Sequence, residues 1–163
     1  MTEKRSVLVT FTDQLALPVS RARTWAALHD IELLRDLVPG CETVRPRRDG
    51  SHALHAAVSV GPLKTDLHVL LRCSDIEPMR SYRLAFEGSG GLAGEGKGRV
   101  KIRLEAPSRG ETLLHYDVAA RIEGPLAQMG APLAETAARG LADSFLARLR
   151  TALQDHPASA VAA

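Results

Sequence analysis

Apolar and polar residues alternate through most of this chain, most clearly where Val100, Ile102 and Leu104 interleave with Lys97, Arg99, Lys101 and Arg103. A period of two puts one set of side chains on each face of a strand, so this sheet has a dry face and a wet one. The same rhythm predicts a first strand from Val7 to Leu17, stopped by Pro18. Further strands follow over Thr43 to Arg48, His52 to Val60, Lys64 to Ile76, Ser81 to Glu87, Glu95 to Ala106 and Thr112 to Ile122. Turn residues punctuate them at Asp49-Gly50, at Gly61-Pro62 and in a glycine-rich stretch from Gly88 to Gly98. Between the first two strands, Ser20 caps a short helix carrying Trp25 and Leu28, and a second helical piece, Ile31 to Leu37, ends at Pro39-Gly40. After Gly124-Pro125 the spacing changes to three and four. Leu126, Met129, Leu133, Ala137, Leu141, Phe145 and Leu149 then form one stripe of a helical segment running to about Gln154. Pro132 removes a backbone donor, so the long helix either begins at Ala131-Pro132 after a short turn or bends there.

The order β-αα-β6-α predicts an α+β domain, in which a curved antiparallel sheet of seven strands wraps around one long C-terminal helix. Such an arrangement encloses a space, and strand parity names its wall. Inward positions include Leu54, Ala56 and Val58; Thr65, Leu67, Val69, Leu71 and Cys73; Tyr82, Leu84 and Phe86; and Val100, Ile102 and Leu104. On the last strand they include Leu114, Tyr116, Val118 and Ala120. The wall is apolar, with the Tyr82 and Tyr116 hydroxyls as neutral handles for a carbonyl or hydroxyl of a guest. Asp66, His68, Arg72, Arg83, Glu87, His115, Asp117 and Arg121 take the opposite parity and face water. The candidate ligand-binding set is Trp25, Leu67, Val69, Tyr82, Leu84, Phe86, Ile102, Tyr116, Met129, Leu133, Leu141 and Phe145.

Composition narrows the function classes. At 163 residues and 45% hydrophobic, the chain suits a single domain over 1–155, with 156–163 expected as a disordered tail. A net charge of +2 and 4% aromatic residues argue against nucleic acid. Cys41 and Cys73 are too few for a disulfide framework and lack zinc-ligand spacing. The polar start and the lack of a long apolar run predict a soluble, cytoplasmic protein. Gly91 to Lys97 has P-loop spacing, but an alternating strand follows instead of the helix that would hold a phosphate, and Gly98 replaces the magnesium-binding hydroxyl. A flexible hairpin able to gate the cavity is the expectation there. The six histidines scatter over different elements, and no serine lies in a nucleophile elbow, so no metal, cofactor or catalytic residue is expected. The row Lys97, Arg99, Lys101, Arg103 reads as a solvated face neutralised across strands by Glu87, Glu95, Glu105 and Asp117. The alternative is a docking patch for a partner or an anionic membrane surface, for that row or for Arg45, Arg47 and Arg48.

The element order resembles the helix-grip fold of the START/Bet v 1-like (SRPBCC) superfamily. More narrowly, three segments resemble the CoxG family of carbon monoxide dehydrogenase subunits: Leu37-Val38-Pro39-Gly40-Cys41-Glu42, Gly94 to Gly98 entering a strand, and Ile122-Glu123-Gly124-Pro125-Leu126-Ala127-Gln128-Met129-Gly130. The resemblance runs from about Val7 to Leu153. It implies a hydrophobic-ligand-binding accessory protein, with a quinone, lipid or isoprenoid-like guest, working with a molybdenum hydroxylase of carbon monoxide dehydrogenase type. Oxidoreductase subunits are the implied partners, with peripheral contact at the inner face of the membrane. The tail after Gln154 is too short and too weakly apolar for a permanent anchor. Two other readings stay open: a cyclase- or lyase-type enzyme using Tyr82 or Tyr116 as acid, and a docking module whose cavity is filled by side chains. Homodimerisation through a sheet edge or a helix is also compatible with the sequence.

Overall fold

The computed structural model describes residues 6–60, 63–91 and 94–155. The expected turn at Gly61-Pro62, the centre of the glycine-rich stretch at 92–93 and the tail lie outside them. Seven strands form one antiparallel sheet: β1 (Ser6–Leu17), β2 (Cys41–Pro46), β3 (His52–Val60), β4 (Leu63–Glu77), β5 (Ser81–Ser89), β6 (Glu95–Ser108) and β7 (Glu111–Glu123). Their spatial order is β1-β7-β6-β5-β4-β3-β2, which leaves β1 and β2 as edges. Two short helices, α1 (Arg21–Leu28) and α2 (Ile31–Leu37), bridge β1 to β2 across the sheet, and α3 (Pro125–Gln128) leads into the long α4 (Ala131–Asp155). This is the expected α+β architecture.

Local chemistry accounts for the helix boundaries. The Ser20 hydroxyl accepts from the Arg23 amide, and Asp30 Oδ1 accepts from the Glu32 and Leu33 amides, each satisfying donors that a first turn leaves free. Gly130, at φ +107°, separates α3 from α4. The long helix therefore starts at Ala131, and Pro132 falls in its first turn, where no amide donor is required. Gly94 shows why glycine is needed at the entry to β6. Its φ is +103°, and a Cβ there would lie 2.1 Å from the Glu123 carbonyl oxygen.

Register fixes which side chains meet on the concave face. One row runs Cys73, Leu84, Val100, Val118, Phe11 across β4, β5, β6, β7 and β1, and the next runs Tyr82, Ile102, Tyr116, Asp13. The backbone of α4 approaches β1 and β3, on opposite sides of the sheet, and stands off from the strands between. The core is one cluster that runs from Leu17, Leu104, Leu114, Leu149 and Leu153 near α1, through Tyr82, Ile102 and Tyr116 on the middle strands, to Val7, Val9, Phe11, Leu126, Ala127 and Ala134 beside α3, and takes in Leu37, Leu54 and Ala56.

Candidate functional site: a hollow between helix and sheet

Leu67, Val69, Leu71, Leu84, Phe86, Val100 and Val118 on the sheet are only half-buried, as are Leu133, Leu141 and Phe145 on α4. These inward-facing apolar side chains keep residual exposure beneath a helix whose backbone comes nearest to β1 and β3. On the facing helix Ala134 and Ala137 are buried in the core, while the small residues Ala138 and Ala142 are half-buried. Gly88, Gly96 and Gly98 have the same inward parity and contribute no side chains.

Ile102 separates the two tyrosines on one row. Both rings are buried, Tyr82 to 4% exposure and Tyr116 to 6%. Neither hydroxyl hydrogen-bonds to a protein group among the described residues, and no buried side-chain polar atom there lacks a partner, so both oxygens reach accessible space. Burial pushes the Tyr82 phenol well above its ordinary range. Burial also raises Tyr116, reinforced by the Asp13 and Asp143 carboxylates and opposed by the Arg139 guanidinium. These phenols are neutral hydrogen-bond donors at physiological pH and poor proton donors to a reaction.

Trp25 stands edge-on to Tyr82, with ring centroids 5.5 Å apart, and covers that end of the row. His29 completes the cluster, stacked on Trp25 at 4.4 Å and tilted against Tyr82 at 4.6 Å. Its Nδ1 lies 2.9 Å from the Trp25 carbonyl oxygen and donates to it. Strand parity gave no signal for His29, because it reaches the site from the end of α1. At the other end of the row, Phe11 meets Tyr116 edge-on at 6.3 Å, and Arg139 lies 4.6 Å from the Phe11 ring centre.

Of the candidate set, Trp25, Leu67, Val69, Tyr82, Leu84, Phe86, Ile102, Tyr116, Leu133, Leu141 and Phe145 fall on the inner side of the sheet or on the helix covering it. Met129 does not: it sits at the C-terminus of α3, before the helix axis changes direction at Gly130, and is 44% exposed. Cys73 has inward parity yet is exposed, beside the irregular pairing of β4 and β5 between Ser74 and Glu77. The glycine-rich stretch is tied down on both sides of its tip. The Gly90 amide donates to the Gly94 carbonyl at 2.7 Å, and the Thr65 hydroxyl donates to the Gly90 carbonyl. Register sets Glu87 opposite Lys97 and Asp117 opposite Lys101, the cross-strand placement expected of a self-neutralised face, although not every cation closes an ion pair. Arg103 pairs with Glu105 at 3.4 Å, whereas Lys97, Arg99 and Lys101 have no ion pair among the described residues.

The fold is START-like, a helix grip, with a half-exposed apolar face of the sheet beneath its long helix. Solved structures agree on the fold. A conserved protein from Geobacillus kaustophilus superposes with a TM-score of 0.86 at 20% identity, over 91% of this chain and 97% of that one. A START superfamily protein from Mycobacterium smegmatis gives 0.66 at 13% identity, over 91% and 99%. The Zhui aromatase/cyclase from Streptomyces sp. R1128 gives 0.69 at 13% identity, over 93% and 98%. A comparison with curated protein sequences finds no match. The chain belongs to the CoxG family of carbon monoxide dehydrogenase subunits, whose profile matches residues 14–154.

Proposed function

We propose that this protein is a non-catalytic carrier or accessory protein that holds an apolar small molecule of quinone, lipid or isoprenoid type between α4 and the sheet. The observation that carries the reading is a set of inward apolar side chains left half-exposed, with two unpartnered phenol hydroxyls at their margin. Apolar burial supplies affinity at roughly 25 cal/mol per Å² before ordering costs, and the phenols orient a carbonyl or hydroxyl of the guest. Membership of the CoxG family supports service to a molybdenum hydroxylase of carbon monoxide dehydrogenase type, with delivery at the inner face of the membrane. No helix among the described residues is long and apolar enough to cross a bilayer, which suits a peripheral contact.

Mass spectrometry of organic extracts from freshly purified protein tests this, with Leu84→Asp as the blank. A stoichiometric apolar compound present in the wild type and lost in the folded variant supports the carrier. A wild type that arrives empty and takes up neither a short-chain quinone nor a fatty acid refutes it.

A second reading, a cyclase-type enzyme, is favoured by one contact, that of His29 with Tyr82. It requires turnover that is lost in both His29→Ala and Tyr82→Phe while ligand uptake persists.

A further inference from the structure

The free edge of β1 is open over its first half, and we propose that a second copy of this chain pairs with it antiparallel, joining two sheets into one. An antiparallel ladder turns the main-chain groups of alternate residues towards one neighbour and those between them towards the other. β1 pairs with β7 without interruption from Ser6 to Leu17, so one parity of its amides and carbonyls faces away from the sheet. Two contacts identify that parity. The Gln14 amide donates to Asp13 Oδ1 at 2.8 Å, and the Ala16 carbonyl accepts from Arg150 Nη2 at 2.9 Å, neither bond belonging to the ladder. Even-numbered residues therefore turn their main chain outward, and the second half of the edge is already satisfied by the chain itself. The outward groups of Leu8, Thr10 and Thr12 have no partner among the described residues.

The two edges of the sheet are built differently. β2 has 6 residues, ends in Pro46, carries Glu42 and Arg45, and pairs irregularly with β3 between Cys41 and Thr43, all features that deter a further strand. β1 has 12 residues, and from Ser6 to Thr12 it holds no charge, no proline and no glycine. Leu8 in that stretch is 61% exposed, more than any other large apolar side chain among the described residues. The stretch also complements itself. A two-fold axis at Val9 sets Leu8 opposite Thr10 of the partner subunit and Ser6 opposite Thr12 of the partner subunit, so the open donors and acceptors meet one another. It sets Val9 against the partner's Val9 and Val7 against the partner's Phe11, β-branched and aromatic neighbours of the kind that stabilise a ladder. No like charges face each other, because Asp13 falls outside the paired stretch. A strand contact of ~23 Å is small for a stable dimer, so the association is concentration-dependent. The axis is perpendicular to the sheet, and both long helices lie on the same face of the joined sheet. The inference uses the edge alone and does not depend on the carrier reading.

Sedimentation velocity of the full chain, from low to high micromolar concentration, tests it together with amide hydrogen exchange. Expected are a monomer–dimer equilibrium and exchange at the Leu8, Thr10 and Thr12 amides that slows about tenfold between the monomeric and dimeric ends of the range. Thr10→Pro removes an outward amide and leaves the β1–β7 ladder its donors, and Thr10→Lys, which keeps that amide, places a charge on the contact. Each is expected to weaken dimerisation about tenfold or more, with Thr10→Lys deciding if Thr10→Pro fails to fold. Arg45→Glu, on the opposite edge, is expected to leave dimerisation unchanged. A chain that stays monomeric at high micromolar concentration, or a dimer undiminished in Thr10→Lys, overturns the proposal. So does a dimer lost in Arg45→Glu and kept in Thr10→Lys, which would assign the contact to β2.

Discussion

If the space beneath α4 is a hollow, enlarging a side chain in its wall differs sharply from enlarging one in the packed core. Val100 stands at the centre of the concave row, between Leu84 and Val118, and is half-buried. On the carrier reading, Val100→Phe puts extra ring surface into the space a guest would occupy. At ~25 cal/mol per Å², each ~40 Å² of additional apolar burial contributes about 1 kcal/mol, set against the entropy of ordering the ring. The net expectation is stability within about 1 kcal/mol of wild type, together with loss of apolar ligand uptake. Ala134, by contrast, is 0% exposed, and Ala134→Leu forces new atoms into a filled region, with an expected loss of about 1–3 kcal/mol. Urea denaturation followed by circular dichroism separates the two, and displacement of a fluorescent apolar probe reports uptake. For a chain of this size ~1 kcal/mol corresponds to about 2–4 °C in Tm, so thermal melts resolve the difference as well. A Val100→Phe protein destabilised as much as Ala134→Leu would show that the wall is close-packed, and the hollow would have to be abandoned.

Gly94→Ala should destabilise the protein by more than the ~1 kcal/mol typical of an exposed glycine change, because it combines a φ of +103° with a Cβ driven onto the Glu123 carbonyl; equal urea midpoints would contradict that contact. Asp49 is held down to about 2, from 3.8, chiefly by the Ser51 hydroxyl and amide and secondarily by Arg72. A depressed carboxyl contributes stability above its unfolded pKa of 3.8 and loses it as pH falls towards about 2. Ser51→Ala should therefore raise the Asp49 midpoint and narrow that acid window, as read by carboxyl-carbon NMR titration; an unmoved midpoint rejects the hydroxyl as the main cause.

Strand parity carries most of what the sequence discloses, because a period of two leaves each residue only two faces. Leu67, Leu84, Ile102 and Tyr116 fall inward in the structure for the reason the alternation predicts. Parity says nothing about how an element ends or where its neighbour packs. Met129 kept helical spacing with Leu133, but Gly130 breaks the axis between them, so the shared stripe does not exist. His29 reaches Tyr82 through the docking angle of α1, a tertiary quantity with no periodic signature. The outer cations had carboxylates of suitable parity, yet parity fixes a face rather than a distance, and Lys97, Arg99 and Lys101 have no ion pair among the described residues.

The hollow follows from the same distinction between facing and touching. A helix whose backbone approaches β1 and β3 must pass over the strands between them at the height of the sheet's arch. Large side chains on its lower face would fill the gap, as Leu149 and Leu153 do near α1. Along its first half the helix presents the half-buried Ala138 and Ala142 instead, and on the sheet Gly88 and Gly96 add no side chains of their own. Small residues on both walls remove the dispersion contacts that would otherwise stabilise this region of the fold. Filling the same space with an apolar guest restores them, so uptake should be coupled to stability, with the melting temperature rising with ligand concentration in the wild type and not in Val100→Phe.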